Sequence, residues 1–203
     1  MRVQRDLDRD MEEDQTQASH ALAWRDGVPV SLRFDDPFYS LEDGLAETRH
    51  VFLDGNGLPE RFRDGFAIAE LGFGTGLNFA ATACAWRQAG APGRLSFTSF
   101  EAFPLPPEDA RAALSVFPEA APFAPLVAAV LDGAQVAEDG GISLHLLRGD
   151  ARETVPQWQG LADAWFLDGF APARNPELWE PDLLRAVAAR TARGGTCATY
   201  SAA

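Results

Sequence analysis

The stretch AIAELGFGTGLNFA, residues 67–80, decides how this chain folds. An apolar run ends in an acid, Glu70, and glycines follow at alternate positions, Gly72, Gly74 and Gly76. The segment LNFAATACAWRQAG, residues 77–90, then reads as an apolar helix with Gly90 just past its end. Strand, bare turn and helix N-terminus in that order make the opening unit of a parallel α/β sheet. In such sheets ligands sit beyond the carboxyl ends of the strands. Glycines in the turn permit unusual φ angles and close approach to the backbone. The helix start offers free N–H groups and a partial positive charge.

Working outward, strands and helices alternate. FAIAEL (66–71), LSFTSFE (95–101), ISLHLLRGD (142–150), ADAWFLDGF (162–170) and GTCATYS (195–201) read as strands. Helices are predicted over residues 107–117, 122–131, 151–158 and 176–195. This alternation predicts an α/β fold, a doubly wound, mostly parallel Rossmann-like sheet. A doubly wound sheet usually carries further strands after its fifth, so its C-terminal strands are expected to be missing here. Upstream, Asp26-Gly27 between short apolar runs predicts a β-hairpin. Residues 41–62 predict a short helix leading into an extended segment, with a turn at Asn56-Gly57 and Pro59. The expected division is an acidic, disordered tail over 1–19, an N-terminal hairpin and lid over 20–65, and a ligand-binding domain over 66–203.

Composition narrows the chemistry. The 203 residues suit one sizeable core. All 17 basic residues are arginine. Without lysine there is no Walker A loop, pyridoxal Schiff base or lysine general base. Against 30 acids this leaves a net charge of -13, which disfavours broad non-specific nucleic-acid binding. A local arginine patch remains compatible with it. No apolar run reaches the length of a membrane span, and the N-terminus has no targeting pattern, so the expected location is the cytoplasm. Cys84 and Cys197 show no metal-site spacing. The histidines His20, His50 and His145 fall in unrelated segments, which offers no metal site and no hydrolytic triad.

The glycine turn is not the dinucleotide fingerprint. That pattern is G-x-G-x-x-G, whereas here the third glycine comes one position early and Leu77 holds the expected site. With an acid two residues before the first glycine, the variant suits S-adenosylmethionine better than NAD. Glu70 is then a partner for the methionyl ammonium, directly or through water, and Asn78 for the carboxylate end. Glu101, ending the second strand, is placed to take both ribose hydroxyls. Asp150 in LLRGDA can accept from the adenine amino group, with the Ala151 N–H nearby. Asp168 ends the fourth strand in WFLDGFAPARNPELW (165–179) and is the candidate catalytic residue. A carboxylate there takes the proton of an amine nucleophile or orients it. Phe170 can pack near the cofactor and Pro172 can stiffen the acceptor loop. Tyr39 and Phe38 are candidates to stack on cofactor or base, with core packing as the alternative. Glu47, Arg49, Arg61 and Arg63 are candidates to meet cofactor or phosphate, and Arg174 to meet a substrate phosphate.

Three blocks together, residues 34–62, ELGFGTGLNF and residues 165–179, resemble the methyltransferase domain of the tRNA 5-methylaminomethyl-2-thiouridine biosynthesis family. The resemblance runs from about Trp24 to the last residue. It implies a class I S-adenosylmethionine-dependent methyltransferase acting on the primary amine of 5-aminomethyl-2-thiouridine at the tRNA wobble position. By the same resemblance Glu70, Gly72, Gly74, Gly76, Asn78, Glu101 and Asp150 line the cofactor site, and Asp168 stands beside the acceptor amine. Many members carry a second, FAD-dependent oxidase domain, and no such segment is present in this sequence. Rival readings are methylation of a different amine, cofactor binding without turnover, and an NAD-dependent oxidoreductase, which Leu77 opposes.

Overall fold

The computed structural model describes residues 22–40 and 43–200. The tail expected over 1–19 lies outside them. The elements, in chain order, are β1 (Leu22–Arg25), β2 (Val28–Ser31), β3 (Asp36–Pro37), α1 (Gly44–Thr48), β4 (Phe66–Leu71), α2 (Leu77–Gln88), β5 (Leu95–Glu101), α3 (Pro107–Ser115), α4 (Ala124–Leu131), β6 (Val136–Asp139), β7 (Ile142–Arg148), α5 (Ala151–Gln157), β8 (Ala162–Leu167), α6 (Pro181–Ala189) and β9 (Thr191–Thr199).

The main sheet runs β6-β7-β5-β4-β8-β9, and all its neighbours are parallel except the β6–β7 pair. Chain order therefore reverses between β4 and β8. This is the switch point where the crossovers leave to opposite faces and open a crevice at the strand C-termini. Successive residues of a strand point to opposite faces, and β8 shows it. Phe166 stacks on Phe52 at 5.2 Å in the core shared with α2, α3 and α4, while Trp165 stacks on Phe100 at 6.0 Å in the core under α5 and α6. Both side chains are fully buried.

The Asp26-Gly27 hairpin forms as its dipeptide predicts, with φ of 52° and 81° at the turn. With β3 it makes a separate three-stranded antiparallel sheet. Two expectations need correction, and one strand was not anticipated. The extended segment expected after α1 is instead a π-helical and a 3₁₀ turn over Arg49–Asn56, because Asn56 and Arg61 bind inward. Asn56 donates to the Phe52 and Trp165 carbonyls, and Arg61 to the Asn56 and Asp163 carbonyls. The helix expected over 176–195 stops at Ala189. β9 begins at Thr191, since its chain is captured as an extra ladder on β8 through a bulge near Ala162. The short strand β6 turns back at Gly140-Gly141, both at positive φ, and had no clear alternation to announce it.

Candidate active site

The C-terminal ends of β4, β5, β7 and β8 surround a cavity of about 740 Å³. A loop from the small sheet covers it, bringing Arg33, Phe34 and Phe38 to its wall. This volume is in the range of small-molecule sites. Phe34 stacks on Phe170 at 4.6 Å, and Phe38 meets the same ring edge-on at 5.3 Å. Two further ties hold this loop to the segment after β8: Ala171 N–H donates to Asp36, and Arg174 donates to Asp35 and the Phe34 carbonyl.

The glycine turn has the expected conformation, for a reason the sequence did not reveal. Gly72 has φ +84°, and a Cβ there would lie 2.1 Å from the Asp168 carbonyl oxygen. The chain approaching this glycine is the end of β8 itself. Gly76 caps α2 in the left-handed region, and a Cβ there would meet Val127 at 2.8 Å. Gly72 and Gly74 line the cavity, whereas Gly76 is buried behind it.

Behind the turn lies a polar network. Asn78, on the first turn of α2, donates through Nδ2 to Glu70 at 2.9 Å and to Asp168 at 2.6 Å. Its Oδ1 accepts from the Thr48 hydroxyl at 2.9 Å, and the Ser99 hydroxyl donates to the other Glu70 oxygen at 2.7 Å. Glu70 is wholly buried and does not line the cavity. Both its oxygens are engaged inside the protein, by Asn78 and Ser99. Asn78 likewise faces its three protein partners rather than the main cavity. Burial above all, with repulsion from Asp168 and Glu101, holds the Glu70 carboxyl well above the usual range.

Asp168 is different, because it is a wall of the cavity. Burial, reinforced by repulsion from Glu47 and opposed by the Asn78 amide, pushes its carboxyl up to about 7. A carboxylate near neutrality on a cavity wall can both accept and release a proton at physiological pH.

On the β5 and β7 side the acids are anchors held by donors. Glu101 accepts from the backbone N–H groups of Phe73, Gly74 and Phe103 at 2.9, 3.2 and 2.7 Å. It thereby ties the glycine turn to its own strand end while lining the cavity. Asp150 caps α5 by accepting from the Arg152 N–H, and its side chain pairs with the Arg152 guanidinium at 2.6 Å. The hydrogen bonds from Arg152 hold its carboxyl below the usual range. Asp150 and Ala151 both line the cavity.

Other expected site residues take structural places. Tyr39 is buried against Phe117 and Gly44, which is the core reading, yet it still lines the cavity. Pro172 is half-buried and stands outside the cavity wall. Arg174 pairs with Asp35, Arg49 with Glu119 and Arg63 with Asp163. Sequence reading missed Arg33, Phe34 and Phe103. The Arg33 guanidinium lies 3.9 Å over the Phe103 ring at the cavity rim. Phe103 had a signal, since it follows Glu101 by two residues. Arg33 and Phe34 had none, because only the tertiary fold carries their loop over the strand ends.

Among the described residues no group of His, Cys, Asp and Glu is arranged to hold a metal ion, and no helix is long and apolar enough to cross a membrane. A family model described as S-adenosyl-L-methionine-dependent methyltransferase matches residues 122–203. The chain is 44% identical over 201 residues to the tRNA 5-methylaminomethyl-2-thiouridine biosynthesis bifunctional protein MnmC of Chromobacterium violaceum, a match covering 91% of this chain and 30% of that one. It is 48% identical over 196 residues to the protein of the same name from Pseudomonas fluorescens, covering 89% and 29%. The chain thus spans about a third of the length of these relatives. The crystal structure of MNMC2 from Aquifex aeolicus aligns with a TM-score of 0.69 at 26% identity, over 91% of this chain and 60% of that one. In sequence the chain resembles one stretch of the bifunctional tRNA 5-methylaminomethyl-2-thiouridine biosynthesis proteins, and its C-terminal part, residues 122–203, matches the S-adenosyl-L-methionine-dependent methyltransferase model.

Proposed function

We propose that this chain methylates the primary amine of 5-aminomethyl-(2-thio)uridine at the wobble position of tRNA, giving 5-methylaminomethyl-(2-thio)uridine. The observation that carries this reading is Asp168: a carboxylate pinned by Asn78, raised toward neutrality, on the wall of a cavity at the sheet's switch point. The names of the relatives point to the same nucleoside.

The residues present fit S-adenosyl-L-methionine. Glu101, which lines the cavity, takes the ribose hydroxyls, and Phe103 with Ala151 and Asp150, also on its wall, bounds the adenine end. Gly72 and Gly74 let the amino-acid end lie against the turn. When bound, the cofactor supplies an electrophilic methyl group on a sulfonium. Asp168 orients the acceptor amine by hydrogen bonding and takes its proton, which requires the carboxylate form. Asn78 fixes that carboxylate, and the phenylalanines of the covering loop exclude water from it. Residues 20–65 act as hairpin and lid for the domain over 66–203. With Arg174 tied to Asp35, the rim residue Arg33 takes over as the contact for an anticodon-loop phosphate. The setting is the cytoplasm, where tRNA is modified.

The net charge of -13 favours a second reading, methylation of a smaller amine by the same site. Incubation with methyl-labelled cofactor and tRNA bearing 5-aminomethyl-2-thiouridine separates the two. Label in the wobble nucleoside is the expected result. Its absence, with label transferred to a small primary amine, would establish the second reading.

A further inference from the structure

A second, smaller cavity of about 40 Å³ opens beside the main one, between α1, the glycine turn and the start of α2. That is room for about one water-sized group, whose share of liquid volume is about 30 Å³. Six residues line both cavities and so form the junction: Phe38, Tyr39, Glu47, Gly74, Asp168 and Tyr200. Two of them are carboxylic acids and three are aromatic. Aromatic faces and carboxylates together are the surroundings a small cation prefers.

Tyr39 adds an independent sign. It is 8% exposed, it lines the junction, and among the described residues its hydroxyl has no hydrogen-bond partner. A buried hydroxyl without a partner is costly, so it marks a place for a ligand group. Glu70, the acid that the sequence offers for a ligand ammonium, is sealed behind Asn78 and Ser99. Glu47, unlike Glu70, lines both cavities.

We infer that Glu47, with the Tyr39 hydroxyl, holds the α-ammonium of the cofactor's amino-acid end at the junction of the two cavities. The inference rests on the proposed cofactor and names a residue for it. The acceptor amine is the other primary amine in the proposed reaction, but it must approach the methyl group in line from the open side. The junction leads into the small space lined by Thr75, Leu77 and Phe52, which has room for about one water-sized group. Burial raises the Glu47 carboxyl against a hydrogen bond from the Ser40 backbone, and Glu47 in turn raises that of Asp168. Two acids that repel one another across a junction are relieved by a cation between them.

The test measures binding by calorimetry, without turnover. The ligands are S-adenosylhomocysteine, its analogue lacking the α-amino group, and 5′-methylthioadenosine, which lacks the amino-acid end. Wild-type protein is expected to bind S-adenosylhomocysteine about ten- to a hundredfold more tightly than the deamino analogue, the scale of one charge-assisted hydrogen bond. In Glu47→Gln that preference collapses to within about threefold, while 5′-methylthioadenosine binds both proteins alike and shows the adenosine side to be intact. Tyr39→Phe reduces the preference by a smaller factor. If Glu47→Gln keeps the full preference, the inference is overturned. It is overturned equally if the preference survives and only the KM for tRNA rises, which would give Glu47 to the acceptor amine. Failure of wild-type protein to bind S-adenosylhomocysteine at all would instead remove the cofactor reading, and this inference with it.

Discussion

Glu70 and Asp168 end adjacent parallel strands and share one amide group, Asn78 Nδ2. Glu101 and Asp150 end the strands on the other side of the same cavity. The first pair is enclosed and its carboxyls are pushed up. Of the second pair, Glu101 is held by three backbone N–H groups and Asp150 by an arginine. The same residue types at equivalent ends of one sheet thus acquire different chemistry from what surrounds them. Desolvation without a cation pushes the Glu70 and Asp168 carboxyls up, while the arginine beside Asp150 holds its carboxyl below the usual range. On the proposed function the β4–β8 side serves the chemistry and the β5–β7 side grips the cofactor.

The largest effect expected from this contrast is at Asp168. Asp168→Ala should lower turnover by about 10²–10⁴-fold, the range of a positioned general base, and leave cofactor affinity nearly unchanged. Single-turnover rates and calorimetry on the same preparation check both halves. A rate close to wild type would erase the division. The pH dependence sharpens it. Turnover needs the carboxylate, so kcat/KM for the cofactor should fall about tenfold per unit below a limb near 7 and level off above it. Stability moves the other way. Since the folded carboxyl titrates above its ordinary value of 3.8, its contribution to stability is greatest in acid and is lost as pH rises toward 7. Asp168→Asn should flatten that part of the stability profile in denaturant titrations at several pH values. Next in size is Glu101→Ala on the binding side. It should weaken S-adenosylhomocysteine by about 1–3 kcal/mol and affect rate mainly through cofactor occupancy. Equal affinity in calorimetry would mean that Glu101 serves only the glycine turn.

Most of the β5–β7 side and of the fold itself was legible in the chain. FAIAEL and LSFTSFE became strands at their expected limits, the first a largely apolar run between Gly65 and Gly72, the second a β-favouring run of Phe, Ser and Thr. The glycines announced the turn but not its cause, since the 2.1 Å clash at Gly72 is with a carbonyl almost a hundred residues away in sequence. Glu70 illustrates the same limit. Its place before the glycines was visible, but whether it faces ligand or core depends on Asn78 and Ser99 closing over it. The covering loop was least legible. Arg33, Phe34 and Phe38 carry no periodic signal, and their role depends on β1–β3 landing over strands that follow them in the chain. Periodicity reports local structure, whereas a site made of strand ends and a distant loop is a tertiary fact.

A smaller effect separates capping from ligand contact. Asp150→Ala removes the N-cap of α5 and should cost about 1 kcal/mol of stability in chemical denaturation. Arg152 should at the same time lose its tightest partner. If Asp150 also grips adenine, affinity for 5′-methylthioadenosine falls alongside. If it is a cap alone, only stability moves.

The smallest effect is expected where the lid meets the segment after β8. Arg174 donates to Asp35 and to the Phe34 carbonyl, but the pair is exposed and screened by solvent. Arg174→Ala should therefore leave the unfolding midpoint unchanged within error. The Phe34–Phe170 stack and the Ala171–Asp36 hydrogen bond still hold the loop in place. Cofactor affinity should also stay constant, because Arg174 does not line the cavity. The informative measurement is the KM for tRNA at two salt concentrations, compared between Arg174→Ala and Arg33→Ala. If phosphate contact belongs to the rim, Arg33→Ala raises KM and flattens its salt dependence while Arg174→Ala does neither. A rise in KM for Arg174→Ala alone would mean that the ion pair with Asp35 opens on tRNA binding, and that the lid is released as the substrate arrives.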